Sequence, residues 1–187
     1  MIVAGISGSS AHSRRTRALI ELALEGAREA GAGETPLIDL AEAPVEFADG
    51  RKPEQYGAAT QRVLADLERS GAYVIGTPMY RGGMTGALKN LIDLTPKEYM
   101  RGKAAALIAT GASLHHYLGT DVGLRTAMAF FQVHVVPAIL YGAQFAIEDG
   151  RVQDEKLAEQ ARQLGRDVVE LAQATAGKAL GPAIEGS

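Results

Sequence analysis

No cysteine occurs anywhere in the chain, which removes disulfides, thiolate nucleophiles and cysteine-ligated metal clusters together. Redox chemistry in such a chain belongs to a bound cofactor. There is no excess of positive charge either: 19 Lys and Arg stand against 22 Asp and Glu, for a net charge of −3, and the basic residues are spread along the chain. The electrostatic footprint of a nucleic-acid binder is therefore missing. No apolar run approaches the ~20 residues that span a bilayer, and no basic leader precedes the opening MIVAGISGSS. The expectation is a cytoplasmic protein that binds neither nucleic acid nor membrane.

Several chemical signatures are absent as well. Neither G-x-x-x-x-G-K-[ST] nor G-x-G-x-x-G is present, so a P-loop nucleotide site and a Rossmann dinucleotide site are not expected. Gly5-Ile6-Ser7-Gly8-Ser9 has the wrong final spacing for the G-x-S-x-G nucleophile elbow, which argues against a serine hydrolase. His115 and His116 are adjacent and so do not share a helix face, and no acidic pair at ligand spacing accompanies them. No metal site and no catalytic acid–base side chain are expected.

What is present alternates strand with helix. Ile2–Ile6 is an apolar run of strand length that ends in Ser7-Gly8-Ser9-Ser10-Ala11-His12-Ser13, and a helix with Ala18, Leu19, Leu22 and Ala23 on one face follows up to Gly31. A strand that feeds a Gly/Ser loop and a helix N-terminus is an anion site: backbone N–H groups, hydroxyls and the helix dipole point to one place, and Arg14, Arg15 and Arg17 add charge. A terminal phosphomonoester suits this loop. The alternative for Ser13 is a helix N-cap, with the arginines only solvated.

Thr35–Leu40 reads as a short second strand. The long loop Ala41–Tyr56, with Pro44, Val45, Phe47, Gly50 and Pro53, either borders a second substrate or is a surface excursion. A helix over Gly57–Ser70 precedes the third strand at Tyr73–Ile75. That strand breaks at Gly76-Thr77-Pro78 and passes through Arg81-Gly82-Gly83 into a helix carrying Ala87, Leu88, Leu91 and Ile92. The apolar strand Lys103–Ala109 again runs into a glycine and hydroxyl loop, Thr110-Gly111-Ala112-Ser113-Leu114-His115-His116. A helix near Thr120–Phe131, a strand at Val133–Leu140 and a helix over Lys156–Ala172 close one domain over 1–174. The tail from Thr175 to Ser187 reads as disordered.

The pattern T-P-x-Y-x-x-x-x-x-G-x-L-K-x-x-I-D (Thr77, Pro78, Tyr80, Gly86, Leu88, Lys89, Ile92, Asp93) resembles the flavin-facing loop and following helix of NAD(P)H-dependent FMN reductases, which are flavodoxin-like proteins. The resemblance is closest to the flavin reductases of two-component sulfonate monooxygenase systems and extends from the first strand to about Gly142.

It implies an α/β fold: a doubly wound five-stranded parallel sheet of order 2-1-3-4-5 with helices on both faces, the loops after strands one, three and four converging on one crevice. It implies FMN as cofactor, with Gly8, Ser9, Ser13, Arg14, Arg15 and Thr16 around its phosphate. Pro78, Met79, Tyr80, Arg81, Gly82, Gly83, Thr110, Gly111, Ala112, Ser113 and His116 would lie around its ring. Hydride would come from NADPH or NADH. Such transfer asks little of side chains beyond position, water exclusion and polar contacts. The resemblance further implies a partner flavin-dependent monooxygenase and a homodimer or homotetramer built through Met84–Leu94 and Lys97–Tyr99. An FMN-retaining quinone, azo or chromate reductase is the alternative, and a flavodoxin-like electron carrier ranks behind it because such carriers are strongly acidic.

Overall fold

All five residues of strand β1 (Val3–Ser7) are buried, as are all but the last residue of β3 (Ala72–Pro78) and of β4 (Ala104–Gly111). Strands with no exposed face are covered by helices on both sides, the condition of a parallel α/β sheet. The computed structural model describes residues 1–10, 14–113 and 117–181. Within them the strands run parallel in the order β2-β1-β3-β4-β5, with β2 at Leu37–Asp39. This is the expected doubly wound arrangement.

The two sheet faces separate by alternation along each strand. Val74, Ala106 and Ile108 pack with Leu19, Ile20, Leu164 and Val168 of helices α1 (Arg15–Glu29) and α7 (Glu155–Thr175). Tyr73, Ile75 and Leu107 face the opposite way. They pack with Leu64 and Leu67 of α2 (Ala58–Arg69), Leu88 and Leu91 of α3 (Gly86–Leu94) and Met100 of α4 (Lys97–Met100). Where α1 crosses α7 the backbones nearly touch: a Cβ added to Gly26 would lie 1.9 Å from the Arg162 carbonyl oxygen, and one on Gly165 would lie 1.7 Å from that of Ala23.

Two elements differ from the sequence reading. The strand expected over Val133–Leu140 is two pieces, β5 (His134–Val135) and β6 (Leu140–Ala143), both paired with β4. Pro137 lies between them, where it offers no N–H to a ladder. The helix expected near Thr120–Phe131 begins earlier as α5 (Tyr117–Thr120), passes through a π-turn at Asp121–Arg125 and ends as α6 (Thr126–Phe130). A small hairpin, β7 (Ile147–Glu148) with β8 (Arg151–Val152), had no sequence reading at all; Asp149 and Gly150 make its turn, both with positive φ.

The long loop 41–57 is tied down. Asn90 of α3 accepts from the Ala48 N–H (2.9 Å) and donates to the Glu46 carbonyl (2.8 Å). Arg51 pairs with Glu46 (3.0 Å) and Asp49 (2.9 Å) while lying over the Tyr56 ring. The bonds from the Arg51 side chain and backbone N–H hold the Asp49 carboxyl down at about 2. At the other end of the molecule α7 continues to Thr175, and the carbonyl of Lys178 in the following segment lies 2.6 Å from His134 Nε2.

Candidate functional site

The carboxyl ends of β1, β3 and β4 are laced together by short polar contacts rather than by apolar packing. The Gly8 N–H donates to the Gly76 carbonyl at 2.8 Å. The Gly8 carbonyl accepts from the hydroxyl of Thr85, the N-cap of α3, and the same hydroxyl accepts from the Leu88 N–H at 3.1 Å. The Thr85 N–H in turn donates to the hydroxyl of Thr77 on β3 at 3.1 Å. Any side chain at Gly8 would break this arrangement, since its Cβ would come within 2.7 Å of the Leu88 Cβ. A second set of contacts crosses to β4. Thr16, in the first turn of α1, has its hydroxyl 2.7 Å from that of Thr110, and the Met79 N–H donates to the Thr110 carbonyl at 2.7 Å.

Three loops leave this edge. After β1, Gly8, Ser9 and Ser10 lead towards α1, whose N-cap is Arg14; the Arg14 side chain supplies no capping bond. A helix N-terminus of this kind has the electropositive character that favours an anion. Ser9 and Thr16 are buried here, and so is Ser7, whose hydroxyl has no hydrogen-bond partner among the described residues.

After β3, Tyr80 to Gly83 form a tight turn closed by bonds in both directions between the Tyr80 and Gly83 backbones, at 3.0 and 3.1 Å. Arg81 (φ 54°) and Gly82 (φ 82°) both adopt positive φ, the signature of a type I′ turn. A Cβ at Gly82, Gly83 or Gly86 would meet no atom within 4 Å, so this stretch borders open space. After β4, the Ser113 carbonyl accepts from the Tyr141 hydroxyl (2.6 Å) and the Ala112 carbonyl from the Gln144 amide (2.7 Å). Burial raises the Tyr141 hydroxyl above its ordinary pKa and keeps it a donor. Gly111 makes room for it, because a Cβ there would lie 2.0 Å from the Tyr141 oxygen.

Of the residues singled out in the sequence, the structure brings Ser9, Thr16, Pro78, Met79, Tyr80, Gly82, Gly83, Thr110, Gly111, Ala112 and Ser113 to this one edge, with Arg14 and Arg81 exposed at its rim. Arg15 is placed with its guanidinium 5.9 Å from the Phe145 ring centroid. Arg17 corrects its reading as part of the anion loop: it is held by Glu21 (2.8 Å), Asp39 (3.1 Å) and Glu42, and the bonds to Glu21 and Glu42 raise its pKa further above the ordinary value. Ser13, His116 and its neighbour His115, and His12 lie outside the described residues. Thr77 stood in the T-P-x-Y motif, but Thr85, Tyr141 and Gln144 were missed. The threonine directly before the α3 pattern is an N-cap signal that would have found Thr85; nothing local marks the other two.

Among the described residues no group of three or more His, Asp or Glu side chains is placed to hold a metal ion, and no helix is long and apolar enough to cross a membrane. A polar groove of about 570 Å³ lies elsewhere, between α1 and α7 and beside β8, lined by Arg151 and by Arg162, the latter already paired with Glu25 and Glu159.

The family model of NADPH-dependent FMN reductases matches residues 1–148. An NAD(P)H-dependent FAD/FMN reductase of Geobacillus thermodenitrificans is 33% identical over 172 residues, covering 91% of this chain and 93% of its own. The NADH-dependent FMN reductase SfnE of Pseudomonas putida is 31% identical over 160 residues, covering 86% of each. Among solved structures, an apo NADH:FMN oxidoreductase superposes with a TM-score of 0.73 at 25% identity, over 91% of this chain and 89% of that one.

Proposed function

Because the chain belongs to the NADPH-dependent FMN reductase family, we propose that the edge formed by β1, β3 and β4 binds FMN, that the enzyme reduces it with NAD(P)H, and that the reduced flavin passes to a partner monooxygenase. The observation that carries the site assignment is the lacing itself: Thr85 to Gly8, Thr16 to Thr110 and Met79 to Thr110 fix three loops as one rigid rim. A rim of that kind suits a flat, singly phosphorylated ligand, which needs an anion end and a ring slot at a set separation.

The residues present fit the group. The start of α1, where the Arg14 side chain makes no capping bond, and the buried Ser9 would hold the phosphate, and the Ser7 hydroxyl, without a partner among the described residues, lies buried on the adjoining strand end. Pro78 to Gly83 and Thr110 to Ser113 leave neighbouring strand ends and would flank the ring. When bound, FMN supplies the two-electron chemistry: NAD(P)H is oxidised as its C4 hydride passes to the flavin N5, and solvent supplies the accompanying proton. The chain's own part is positional. The Tyr80–Gly83 turn and the carbonyls fixed by Tyr141 and Gln144 set where the ring lies, and the half-exposed Tyr80 shields it from water.

The partner role and assembly belong to the same proposal. Val122 (71% exposed) and Phe130 (52%) present apolar surface along α5 to α6, with Lys97 5.7 Å from the Phe130 ring centroid, and this surface supports a homodimer or homotetramer. NAD(P)H oxidation followed at 340 nm, with and without added FMN, tests the activity. Turnover that requires FMN is expected; oxidation absent with both nucleotides sinks the reading.

A further inference from the structure

The turn after β3 carries an arginine where its geometry asks for asparagine or glycine. Arg81 takes the first positive-φ position of the type I′ turn, at 54°, a conformation that a Cβ disfavours. Residues held in such conformations cluster at ligand clamps. The Arg81 side chain is exposed, and among the described residues it makes no ion pair or hydrogen bond. It shares this with Arg14, Arg62, Arg101 and Arg151, and differs from Arg17, Arg51, Arg69, Arg125, Arg162 and Arg166, which are paired with carboxylates.

On one side the turn packs against α5: its Gly82 carbonyl lies against Gly119, where a Cβ would come within 2.9 Å. On the other it runs into Thr85, the residue that clasps Gly8 of the first loop.

We propose that Arg81 binds a phosphate of the hydride donor, its guanidinium engaging the 2′-phosphate or the pyrophosphate of the nicotinamide nucleotide as the donor enters beside Tyr80. This rests on the FMN reductase reading and assigns a residue within it. Arginine suits the task because its planar fork meets phosphate oxygens two at a time and stays charged at any working pH.

The test uses the FMN-loaded protein with Arg81→Asn and Arg81→Lys, titrated calorimetrically with NADP+ and NAD+ and assayed for the KM of NADPH and NADH. Arg81→Asn is expected to weaken donor binding and raise its KM about 10- to 100-fold. Arg81→Lys should recover part of the loss. The melting temperature of Arg81→Asn should equal or exceed that of the parent, since Asn-Gly is the preferred pair for this turn, so a loss of affinity is not a loss of fold. A loss confined to the phosphorylated nucleotide assigns the 2′-phosphate; an equal loss for both assigns the pyrophosphate. Unchanged affinity for both nucleotides, with the parent showing FMN-dependent turnover, overturns the assignment alone. A raised dissociation constant for FMN with donor affinity intact also overturns it, placing the guanidinium on the flavin. A parent without FMN-dependent turnover sinks the functional reading and this inference with it.

Discussion

Thr16 and Thr110 are 94 positions apart in the chain and 2.7 Å apart at their hydroxyls. Both are buried, so each is the other's answer to the cost of hiding a polar group. Removing one partner is worse than removing both. Thr110→Val, which keeps the shape and strands the Thr16 hydroxyl, should lower unfolding stability by about 1–3 kcal/mol. The double variant with Thr16→Val should regain most of that loss. Urea midpoints for the two single variants and the double variant form a cycle that checks it. A double variant as weak as the sum of the singles would show that the two hydroxyls are not coupled. The sequence marked both residues through the FMN reductase resemblance but could not pair them, because nothing in a local pattern says which hydroxyl meets which across a sheet. Arg17 shows the same limit in reverse: its place beside two other arginines suggested an anion, and only the fold brought Asp39 and Glu42 to it.

At the scale of elements, the helices and strands with strong periodicity stand where the apolar spacing put them, within a few residues at their ends. The exceptions have local causes that spacing does not encode. Pro137 divides the fifth strand, and the π-turn at Asp121–Arg125 shifts the register of the helix that contains it. The α1–α7 crossing was not legible either, since Gly26 and Gly165 look like ordinary weak points in helices. Helix propensity alone predicts that Gly165→Ala stabilises by about 1 kcal/mol. The packing predicts the opposite sign: its Cβ would overlap the Ala23 carbonyl at 1.7 Å, and forcing the helices apart should cost roughly 2 kcal/mol or more. Chemical denaturation of Gly165→Ala and Gly26→Ala decides between them. A raised midpoint in either variant would refute the close crossing.

For the molecule as a whole, one rim built from three loops implies that ligand binding and global stability are linked. FMN that binds only the folded state should raise stability by about 2.7 kcal/mol at a hundred times its dissociation constant, and a melting curve recorded at rising FMN concentrations should move steadily upward. A melting point indifferent to FMN at millimolar levels would contradict the site. Residues and spacing alone determined the alternation of strand and helix, the exclusion of P-loop and Rossmann sites, and the glycine and hydroxyl loops that end the first, third and fourth strands; the family resemblance added the sheet order and the flavin. These follow from hydrophobic period and turn chemistry, which act between neighbours in the chain. Only the tertiary structure decided that Thr85 clasps Gly8, that Tyr141 and Gln144 aim the carbonyls of Ser113 and Ala112, and that Arg81 has no partner among the described residues while Arg17 does. Those facts depend on distances between segments far apart in sequence, and such distances exist only once the sheet has brought its carboxyl ends to one edge.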